Sequence, residues 1–318
     1  MVALQPTVHR GFPDRSVGRD VAVTIGVFDG VHIGHQRLLD LTADHADGTD
    51  SGVLVTFEPH PRCIVDPGGC PPMLSSVDER AALALQRGVG MTVELAFTRE
   101  LSTWSAERFC DRLRQSLPLR HLVIGAGFAL GHGRRGDEAF LRTYGDAHGF
   151  EVDVVSPVIL GDVPVSSGGV RTAVSEGRME DASLMLGRPY RLHGTVIHGD
   201  GRGRTLGFPT ANIAVDPRRS IPAHGVYATW LHAGARSVPA ATSIGVRPTF
   251  GSGALTIEAH AIDAALDLYG ADVRLDFVCR LREERAFSDA ETLVVQMRRD
   301  VDAVRELMST SAPPPQTP

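Results

Sequence analysis

The 318-residue sequence predicts an α/β domain with a doubly wound parallel sheet, followed by an antiparallel β-barrel closed by a helix. Three observations support this prediction. The length suits two domains of roughly 150 residues each. In the first half, short β-type runs alternate with amphipathic helical segments, a pattern typical of parallel sheets covered on both faces. In the second half, β-type runs follow one another with turn residues between them.

The first half alternates regularly. β-type runs are expected at residues 21–27, 53–57, 93–97, 122–125 and 152–155. Helical spacing of apolar residues begins near Leu38, and further helices are expected at 78–86, 106–113, 139–148 and 168–176. Ligands of parallel α/β sheets bind at the carboxyl ends of the strands. We therefore expect functional residues in the turns that follow these runs.

The second half predicts the barrel. β-type runs are expected at 190–196, 225–231, 237–244, 255–261 and 273–281. A helix over 289–308 carries Leu293, Met297, Val301 and Val304 on one face. We expect residues 1–186 to form the first domain, 187–308 the second, and 309–318 a proline-rich disordered tail.

The composition excludes several classes of protein. All 32 basic residues are arginine, against 38 acidic residues, for a net charge of −6. Without lysine there is neither a Schiff-base lysine nor a Walker-type phosphate loop. The mild acidity argues against a dedicated nucleic-acid binder, and no apolar run approaches the ~20 residues of a membrane span.

The cysteines and the first residues bear on location. The four cysteines contain no Cys-x-x-Cys pair and suggest no disulfide framework. The first residues show no basic stretch followed by an apolar core, as a secretory signal would. We therefore expect a cytoplasmic protein with reduced cysteines.

A glycine- and histidine-rich segment, Gly26-Val-Phe-Asp-Gly-Val-His-Ile-Gly-His35, lies where a strand turns into a helix. Glycines let the backbone approach an anionic ligand, and the first amides of a helix donate to it. His32 and His35 are three residues apart and project from one face of that turn. They could donate to phosphate oxygens and stabilise charge on a reacting phosphorus. Surface or helix-capping histidines are the alternative.

This segment resembles the Gly-x-x-x-x-x-His-x-Gly-His signature of HxGH nucleotidyltransferases. Together with Thr56-Phe-Glu-Pro-His-Pro-Arg62, it resembles the N-terminal module of bacterial bifunctional riboflavin kinase/FMN adenylyltransferases, a likeness that extends over residues 20–305. The resemblance implies transfer of AMP from ATP to FMN, with FAD and pyrophosphate as products and His32 and His35 as catalytic residues. It also implies cofactor binding by Gly26, Phe28, Asp29, Gly30, His60, Ser166, Ser167 and Arg171.

Two later motifs of this module depart from the family pattern. Gly127 stands where the family carries Asn or Asp before Phe-x-Phe-Gly. Gly168 replaces the threonine of Ser-Ser-Thr-x-Ile-Arg, and Pro164 stands where a basic residue is common. Losing one polar contact to a transition state costs on the order of 10²-fold in rate. Two interpretations account for these changes. Either the sequence of a working enzyme has drifted, or the module is retained for folding, assembly or FMN binding.

A second motif, Gly194-Thr-Val-Ile-His-Gly-Asp-Gly-Arg-Gly-Arg-Thr-Leu-Gly-Phe-Pro-Thr-Ala-Asn212, predicts a phosphate-binding loop. Its glycines could wrap phosphate oxygens with amide donors. Thr210 and Asn212 are two residues apart on an extended segment, so both face the same way and offer neutral oxygens to Mg²⁺. A turn capped by the asparagine is the alternative. The glycines and the proline predicted to contact the nucleotide are Gly194, Gly199, Gly201, Gly203, Gly207 and Pro209.

Glu258 is the candidate general base, in a β-type run where a buried carboxylate would need a reason. An outward-facing strand residue is the alternative. The chain resembles riboflavin kinases at residues 207–212, 221–227, 243–250 and around Glu258. The resemblance implies that Thr210 and Asn212 bind Mg²⁺ with ATP. It also implies that Glu258 takes the proton from the ribityl 5′-hydroxyl of riboflavin.

Three functional hypotheses follow. The first is a bifunctional enzyme that uses ATP and Mg²⁺ to convert riboflavin to FMN and then FMN to FAD. The second is a riboflavin kinase with a degenerate nucleotidyltransferase module, and the third is a non-catalytic flavin- or nucleotide-binding regulator. The altered first module could also use another nucleotide or flavin analogue. We expect small-molecule substrates and neither nucleic-acid nor membrane partners; the sequence does not determine the oligomeric state.

Overall fold

A computed structural model describes residues 5–13, 20–66, 68–199, 202–246, 255–264, 268–309 and 312–314. These residues divide into two compact units, the first ending at Ser167 and the second beginning at Gly168. Of the tail predicted at 309–318, residues 310, 311 and 315–318 lie outside the described ranges.

The first unit is built on a six-stranded sheet whose neighbouring strands are all parallel. The strands are β1 (Thr7–Arg10), β2 (Val21–Ile25), β3 (Gly52–Glu58), β4 (Met91–Ala96), β5 (Leu119–Gly125) and β6 (Glu151–Val155). Their order is β1-β4-β3-β2-β5-β6. Every residue of β2 is buried, as expected for a central strand covered on both faces.

Helices cover both faces of this sheet. They are α1 (Ile33–Asp44), α2 (Pro61–Val65), α3 (Val77–Gln86), α4 (Arg99–Ser102), α5 (Ala106–Ser116) and α6 (Glu138–His148). α1 and α3 pack Leu39 and Ala84 with Val123 of β5, on one face. α5 and α6 pack Leu113 and Leu141 into a separate core on the other face. The predicted doubly wound α/β fold is confirmed.

After β6 come a two-stranded hairpin and two helices. The hairpin consists of β7 (Ile159–Leu160) and β8 (Val163–Pro164), and the helices are α7 (Ser167–Glu176) and α8 (Met179–Leu186). The sequence places the domain boundary at 186/187, where the barrel begins. The compact units divide at 167/168, because α8 packs against the barrel and the amide of Ala223 donates to the carbonyl of Val174. The domain boundary at 186/187 stays a prediction.

The second unit is a closed antiparallel barrel. Its strands are β9 (Tyr190–Ile197), β10 (Ala211–Ala214), β11 (Gly225–Ala233), β12 (Arg236–Val246), β13 (Leu255–Ala261) and β14 (Asp272–Arg282), closing in the order β10-β13-β12-β11-β14-β9. The short helix α9 (Arg202–Thr205) precedes β10. α10 (Ala290–Ser309) packs Val304 and Met308 against Trp230. The predicted barrel and closing helix are therefore confirmed.

One expectation about the cysteines is wrong. Cys63 and Cys70 form a disulfide, whereas Cys110 and Cys279 are free. α2 and the turn after it bring the Cα atoms of Cys63 and Cys70 to 4.1 Å, a proximity that a spacing of seven residues does not reveal.

Membrane-spanning helices are absent from the part of the chain that the structure describes. None of the helices in the described ranges combines the length and apolar character needed to cross a bilayer.

Candidate active sites

The turn between β2 and α1 has an unusual backbone. Gly30 has a φ of +78°, and Phe28 and Val31 have φ values of +53° and +42°. Such values are costly for residues with a Cβ, and they persist where the surrounding structure enforces them, often at functional sites. A Cβ at Gly26 would lie 3.1 Å from the Phe28 ring, so the absence of a side chain there makes room for this ring.

The two histidines of this turn lie together, as their spacing predicts. His32 is the N-cap of α1, and its Nδ1 accepts a hydrogen bond from the backbone N–H of His35 at 3.3 Å. The two imidazole rings stack with centroids 3.7 Å apart, and the ring of Phe28 stacks on His35 at 4.6 Å. Within the described part of the chain, Nδ1 of His35 has no hydrogen-bond partner.

The environment of His35 favours the neutral ring. Burial first, and then the nearby His32 and Arg80, hold the pKa of His35 well below its usual value. At neutral pH the ring therefore keeps one N–H donor and one acceptor nitrogen. A phosphate placed beside the ring would favour its protonated form, because opposite charges raise the pKa of a histidine.

Asp29 supports the turn from within the protein. Its carboxylate oxygens accept hydrogen bonds from the backbone N–H groups of Leu74 and Ser75, at 2.9–3.0 Å. The N–H of Gly30 donates to the Ser75 hydroxyl at 2.8 Å. The Ser167 hydroxyl donates to the carbonyl of Asp29, also at 2.8 Å. These contacts indicate that Asp29 shapes the turn that carries the histidine pair.

Sequence reasoning missed Arg80, which organises the same edge of the sheet. This fully buried side chain donates to the carbonyl of Val27 at 3.0 Å, the hydroxyl of Thr56 at 2.9 Å and the carboxylate of Glu58 at 3.2 Å. It thereby links the ends of β2 and β3. A signal existed, since helical spacing puts Arg80 on the buried stripe of α3 with Val77, Ala81 and Ala84.

Other predicted residues of the first module lie at or near the beginnings of helices. His60 follows β3 and caps α2, accepting from the N–H of Arg62 at 3.1 Å. Because β2 and β3 are parallel neighbours, His60 follows the same edge of the sheet as the histidine pair. Ser166 is exposed, directly before α7, and Arg171 lies partly buried in the first half of that helix.

The three positions that depart from the family pattern differ in their surroundings. Gly127 has a φ of +77°, and an added Cβ would meet nothing within 4 Å. Pro164 is exposed at the end of β8, and Gly168 is exposed in the first turn of α7. Space for a side chain therefore exists at Gly127, in a conformation that asparagine tolerates better than most residues.

The barrel brings together the three residues predicted for phosphoryl transfer. The hydroxyl of Thr210 donates to a carboxylate oxygen of Glu258 at 3.2 Å. Asn212 on β10 lies directly opposite Glu258 on β13 in the antiparallel register. Directly opposed residues project to the same face of a sheet. Thr210, Asn212 and Glu258 therefore form one cluster of hydroxyl, amide and carboxylate oxygens.

Two of the predicted glycines lie directly against this cluster. A Cβ at Gly199 would overlap the side-chain amide of Asn212, with its Oδ1 at 2.8 Å. A Cβ at Gly203 would overlap the carbonyl oxygen of Phe208 and lie 3.3 Å from the hydroxyl of Thr210. The loop therefore needs glycine at these two positions, because a side chain there would prevent the oxygen cluster from forming.

The remaining glycines of the loop have other roles. A Cβ at Gly194 would lie 2.5 Å from the carbonyl oxygen of Ala214, so this glycine allows β9 and β10 to pair closely. Gly207 has a φ of +83°, a conformation that favours glycine. Gly201 lies outside the described residues.

A cavity of about 540 Å³ adjoins the cluster. Pro209 and Thr210 line it, and the carbonyl of Pro209 lies 2.8 Å from Nδ1 of His260. Arg204 brings a positive charge to the lining, and the exposed Tyr269 stacks on His198 with ring centroids 4.2 Å apart. The volume of the cavity lies within the range of small-molecule binding sites. The residues thus offer a phosphate-binding charge and an aromatic surface beside the oxygen cluster.

The donor set of this cluster suits a magnesium ion. Mg²⁺ prefers oxygen ligands, and it commonly combines one or two protein groups with substrate phosphates and water. Thr210, Asn212 and Glu258 present three such side chains within one small region. The residues therefore fit the ion that phosphoryl transfer from ATP requires.

Comparison with known proteins matches both units. A family model described as FAD synthetase matches residues 14–169, and one described as riboflavin kinase matches residues 186–308. A bifunctional riboflavin kinase/FMN adenylyltransferase of Pseudomonas fluorescens is 40% identical over 299 residues, which cover 92% of this chain and 95% of the relative. The protein of that name from Escherichia coli (strain K12) is 34% identical over 295 residues, covering 92% and 94%.

A solved structure from Streptococcus pneumoniae, titled a macrolide-efflux protein, superposes on nearly the whole chain. Its TM-score is 0.84 at 28% identity, and the match covers 94% of this chain and 98% of that one. The likeness therefore extends over both units.

Proposed function

This chain belongs to the bifunctional riboflavin kinase/FMN adenylyltransferase family, and from that premise we propose where each of its two reactions takes place. The protein is a transferase that makes FMN from riboflavin and ATP, and FAD from FMN and ATP. The monofunctional and non-catalytic hypotheses are not favoured. We assign adenylyl transfer to residues 1–186 and the kinase reaction to the barrel at 187–308.

In the proposed kinase reaction, Glu258 is the general base. It takes the proton from the ribityl 5′-hydroxyl while that oxygen attacks the γ-phosphorus of ATP, the bond to the β–γ bridging oxygen breaks, and ADP leaves. Thr210 and Asn212 would hold Mg²⁺, which neutralises developing phosphate charge when bound. The nucleotide occupies the cavity beside Pro209 and Arg204. The observation that carries this assignment is the 3.2 Å contact between Thr210 and Glu258.

In the proposed adenylyl transfer, His32 and His35 donate hydrogen bonds to ATP phosphate oxygens. A phosphate oxygen of FMN attacks the α-phosphorus, and pyrophosphate leaves. The attacking oxygen is already ionised at neutral pH, so no general base is needed. The first amides of α1 add donors for the same charge. Arg80 does not touch substrate in this assignment and holds the turn that presents the histidines. Asp29 supports the same turn, and its predicted role in cofactor binding stays a prediction.

Chromatography of the flavins tests whether the two sites are separate. We expect Glu258→Gln to lower FMN formation from riboflavin by about 10²–10⁴-fold, while FMN is still converted to FAD. We expect His35→Asn to do the opposite, lowering FAD formation by about 10²–10³-fold. Glu306→Gln and His148→Asn, both on exposed helix faces, are the matched controls. Loss of both reactions in either site variant would refute the assignment of separate sites.

The cellular location and the binding partners of the enzyme are also part of the proposal. Small-molecule substrates follow from the two reactions. That the protein works in the cytoplasm stays a prediction from its first residues, and the absence of nucleic-acid and membrane partners stays a prediction from composition and charge. Sedimentation of the purified chain with and without nucleic acid or anionic vesicles would contradict the second prediction if either carried the protein down.

A further inference from the structure

Three potential ligand side chains converge at the C-terminal end of α1. His45 is the C-cap of this helix, His121 lies on β5 and Asp153 on β6. Nε2 of His45 lies 3.2 Å from Oδ2 of Asp153, and Nδ1 of His121 lies 3.7 Å from the same oxygen. The two imidazole rings are parallel, with centroids 4.1 Å apart. The three ligand atoms all lie within 4.8 Å of one another.

The fold fixes this arrangement. Asp153 lies directly opposite Val123 in the parallel register of β5 and β6, and His121 is two residues before Val123. Side chains two apart on a strand share a face, so His121 and Asp153 project from the same face as Val123. α1 packs on Val123, and His45 directly follows α1. Sheet register and helix packing therefore position all three groups.

The two facing nitrogens lie within ion-pair distance of the facing oxygen, but none of the three atoms forms a hydrogen bond among the described residues. Nε2 of His45, Nδ1 of His121 and Oδ2 of Asp153 are buried atoms with no hydrogen-bond partner in the described part of the chain. Buried polar side-chain atoms in proteins usually have a partner. One proton between a histidine and the aspartate would satisfy two of these atoms and leave the third. A cation at the centre can accept a lone pair from each once the two stacked rings turn so that both nitrogens point at it.

We propose that His45, His121 and Asp153 bind a divalent transition-metal ion, of which Zn²⁺ is the best match. Ligand atoms about 2.0–2.1 Å from a tetrahedral Zn²⁺ lie about 3.4 Å apart. Two of the three separations here are 3.2 and 3.7 Å, and the third, between the two histidine nitrogens, is within 4.8 Å. Two imidazoles with one carboxylate suit such an ion, whereas Mg²⁺ and Ca²⁺ prefer oxygen ligands alone. The side chains are 21–33% exposed, which leaves a fourth position for water.

This metal site is separate from the two reaction sites. α1 begins beside the catalytic histidine pair and ends at His45, and its 12 residues span about 18 Å. The ion would join the end of α1 to β5 and β6. Its positive charge would also face the negative end of the helix dipole, in a last turn without a basic residue. Metal binding therefore stabilises the unit that carries the histidine pair without taking part in the reaction.

A metal titration of the full chain tests the proposal. The protein is stripped with a chelator, kept in excess Mg²⁺ to fill oxygen-rich sites, and titrated with Zn²⁺ by calorimetry and with Co²⁺ by visible absorption. We expect the wild type to bind one more Zn²⁺ per chain than Asp153→Asn or His121→Ala. We also expect four-coordinate Co²⁺ bands that are lost in both variants. Asp146→Asn and His148→Ala, on the exposed face of α6, are the matched controls and should behave as the wild type.

Thermal unfolding supplies an independent readout. Zn²⁺ should raise the unfolding midpoint of the wild type and the controls more than that of Asp153→Asn, because a ligand stabilises only the state that binds it. Equal near-ultraviolet circular dichroism of the metal-free variants verifies folding, and His45→Asn replaces any variant that fails this test. The same Zn²⁺ stoichiometry and the same midpoint shift in wild type and variants would overturn the proposal.

Discussion

At the scale of single residues, the kinase site depends on a missing side chain. Gly199 lies against the amide of Asn212, and a methyl group there would displace that amide from its place opposite Glu258. The displaced group is the end of a side chain, so rotation relieves the overlap without disturbing the barrel. The effect of a larger residue should therefore appear in catalysis and not in stability.

The substitution Gly199→Ala tests this reasoning. We expect FMN formation to fall by about 10²-fold, as for the loss of one well-placed polar group. The unfolding midpoint and the conversion of FMN to FAD should stay unchanged. Gly68→Ala is the control, because a Cβ there meets nothing within 4 Å and the backbone is not in the left-handed region. An unchanged rate of FMN formation in Gly199→Ala would remove Asn212 from the site.

In the module to which we assign adenylyl transfer, Gly127 is the single residue whose substitution we expect to raise the rate. Its positive φ and open surroundings admit an asparagine, the polar residue that the sequence pattern of the family leads one to expect. We expect Gly127→Asn to raise FAD formation from FMN by about tenfold, because it restores one polar contact. Flavin chromatography measures this rate. Gly133→Asn is the control, since Gly133 also has a positive φ, of 65°, and no close neighbour. A gain shared by both variants would show that the position is not specific.

At the scale of elements, a buried charge cluster joins three barrel strands. Asp276 of β14 accepts hydrogen bonds from Arg191 of β9, at 2.5 and 2.7 Å, and from His232 of β11, at 2.9 Å. Burial alone would raise the pKa of Asp276, but the bonds from Arg191 and His232 bring it below its usual value. Breaking a buried ion pair by removing one partner costs about 3–5 kcal/mol.

This cluster predicts a pH dependence of barrel stability. Because the pKa of Asp276 is lowered on folding, its stabilising effect is complete above the usual aspartate pKa of about 3.9. The effect is lost as the pH falls through the lower folded value. We expect Asp276→Asn to lower the free energy of unfolding by about 3 kcal/mol at pH 7, with the difference shrinking below about pH 4.

Urea unfolding followed by fluorescence measures this difference. In a Trp104→Phe background the remaining tryptophan, Trp230, lies in the barrel, so the signal reports on that unit. Asp272→Asn, an exposed position on the same strand, is the control. A difference between Asp276→Asn and the parent protein that does not change between pH 7 and pH 3 would contradict the role assigned to Asp276.

Most elements could be predicted from the sequence, because periodicity identifies a strand or helix that buries one face. β10 was not predicted as a strand, because four residues are too few to show alternation of apolar and polar side chains. The extended run through Thr210 and Asn212 was predicted. α8 and β1 were also missed. Each packs against elements that are distant in the chain, and the spacing of apolar residues within a short segment does not reveal such contacts.

At the scale of the whole molecule, the two reactions that we assign to separate parts of the chain need no lysine. The first unit offers paired histidines and the first amides of α1. The second offers a bare glycine loop and an oxygen cluster. The all-arginine set of basic residues is thus compatible with both reactions, and its fully buried member, Arg80, holds the turn beside β2 in place.

The sequence by itself led to the two reactions through the resemblance of its motifs to a known family, and the spacing within each motif predicted that its residues share a face. The tertiary structure decided the contacts between residues far apart in the chain. It placed Arg80 under the histidine turn, joined Cys63 to Cys70 across a turn, and brought His45, His121 and Asp153 to one point. Such contacts depend on strand register and helix packing, which no local pattern encodes.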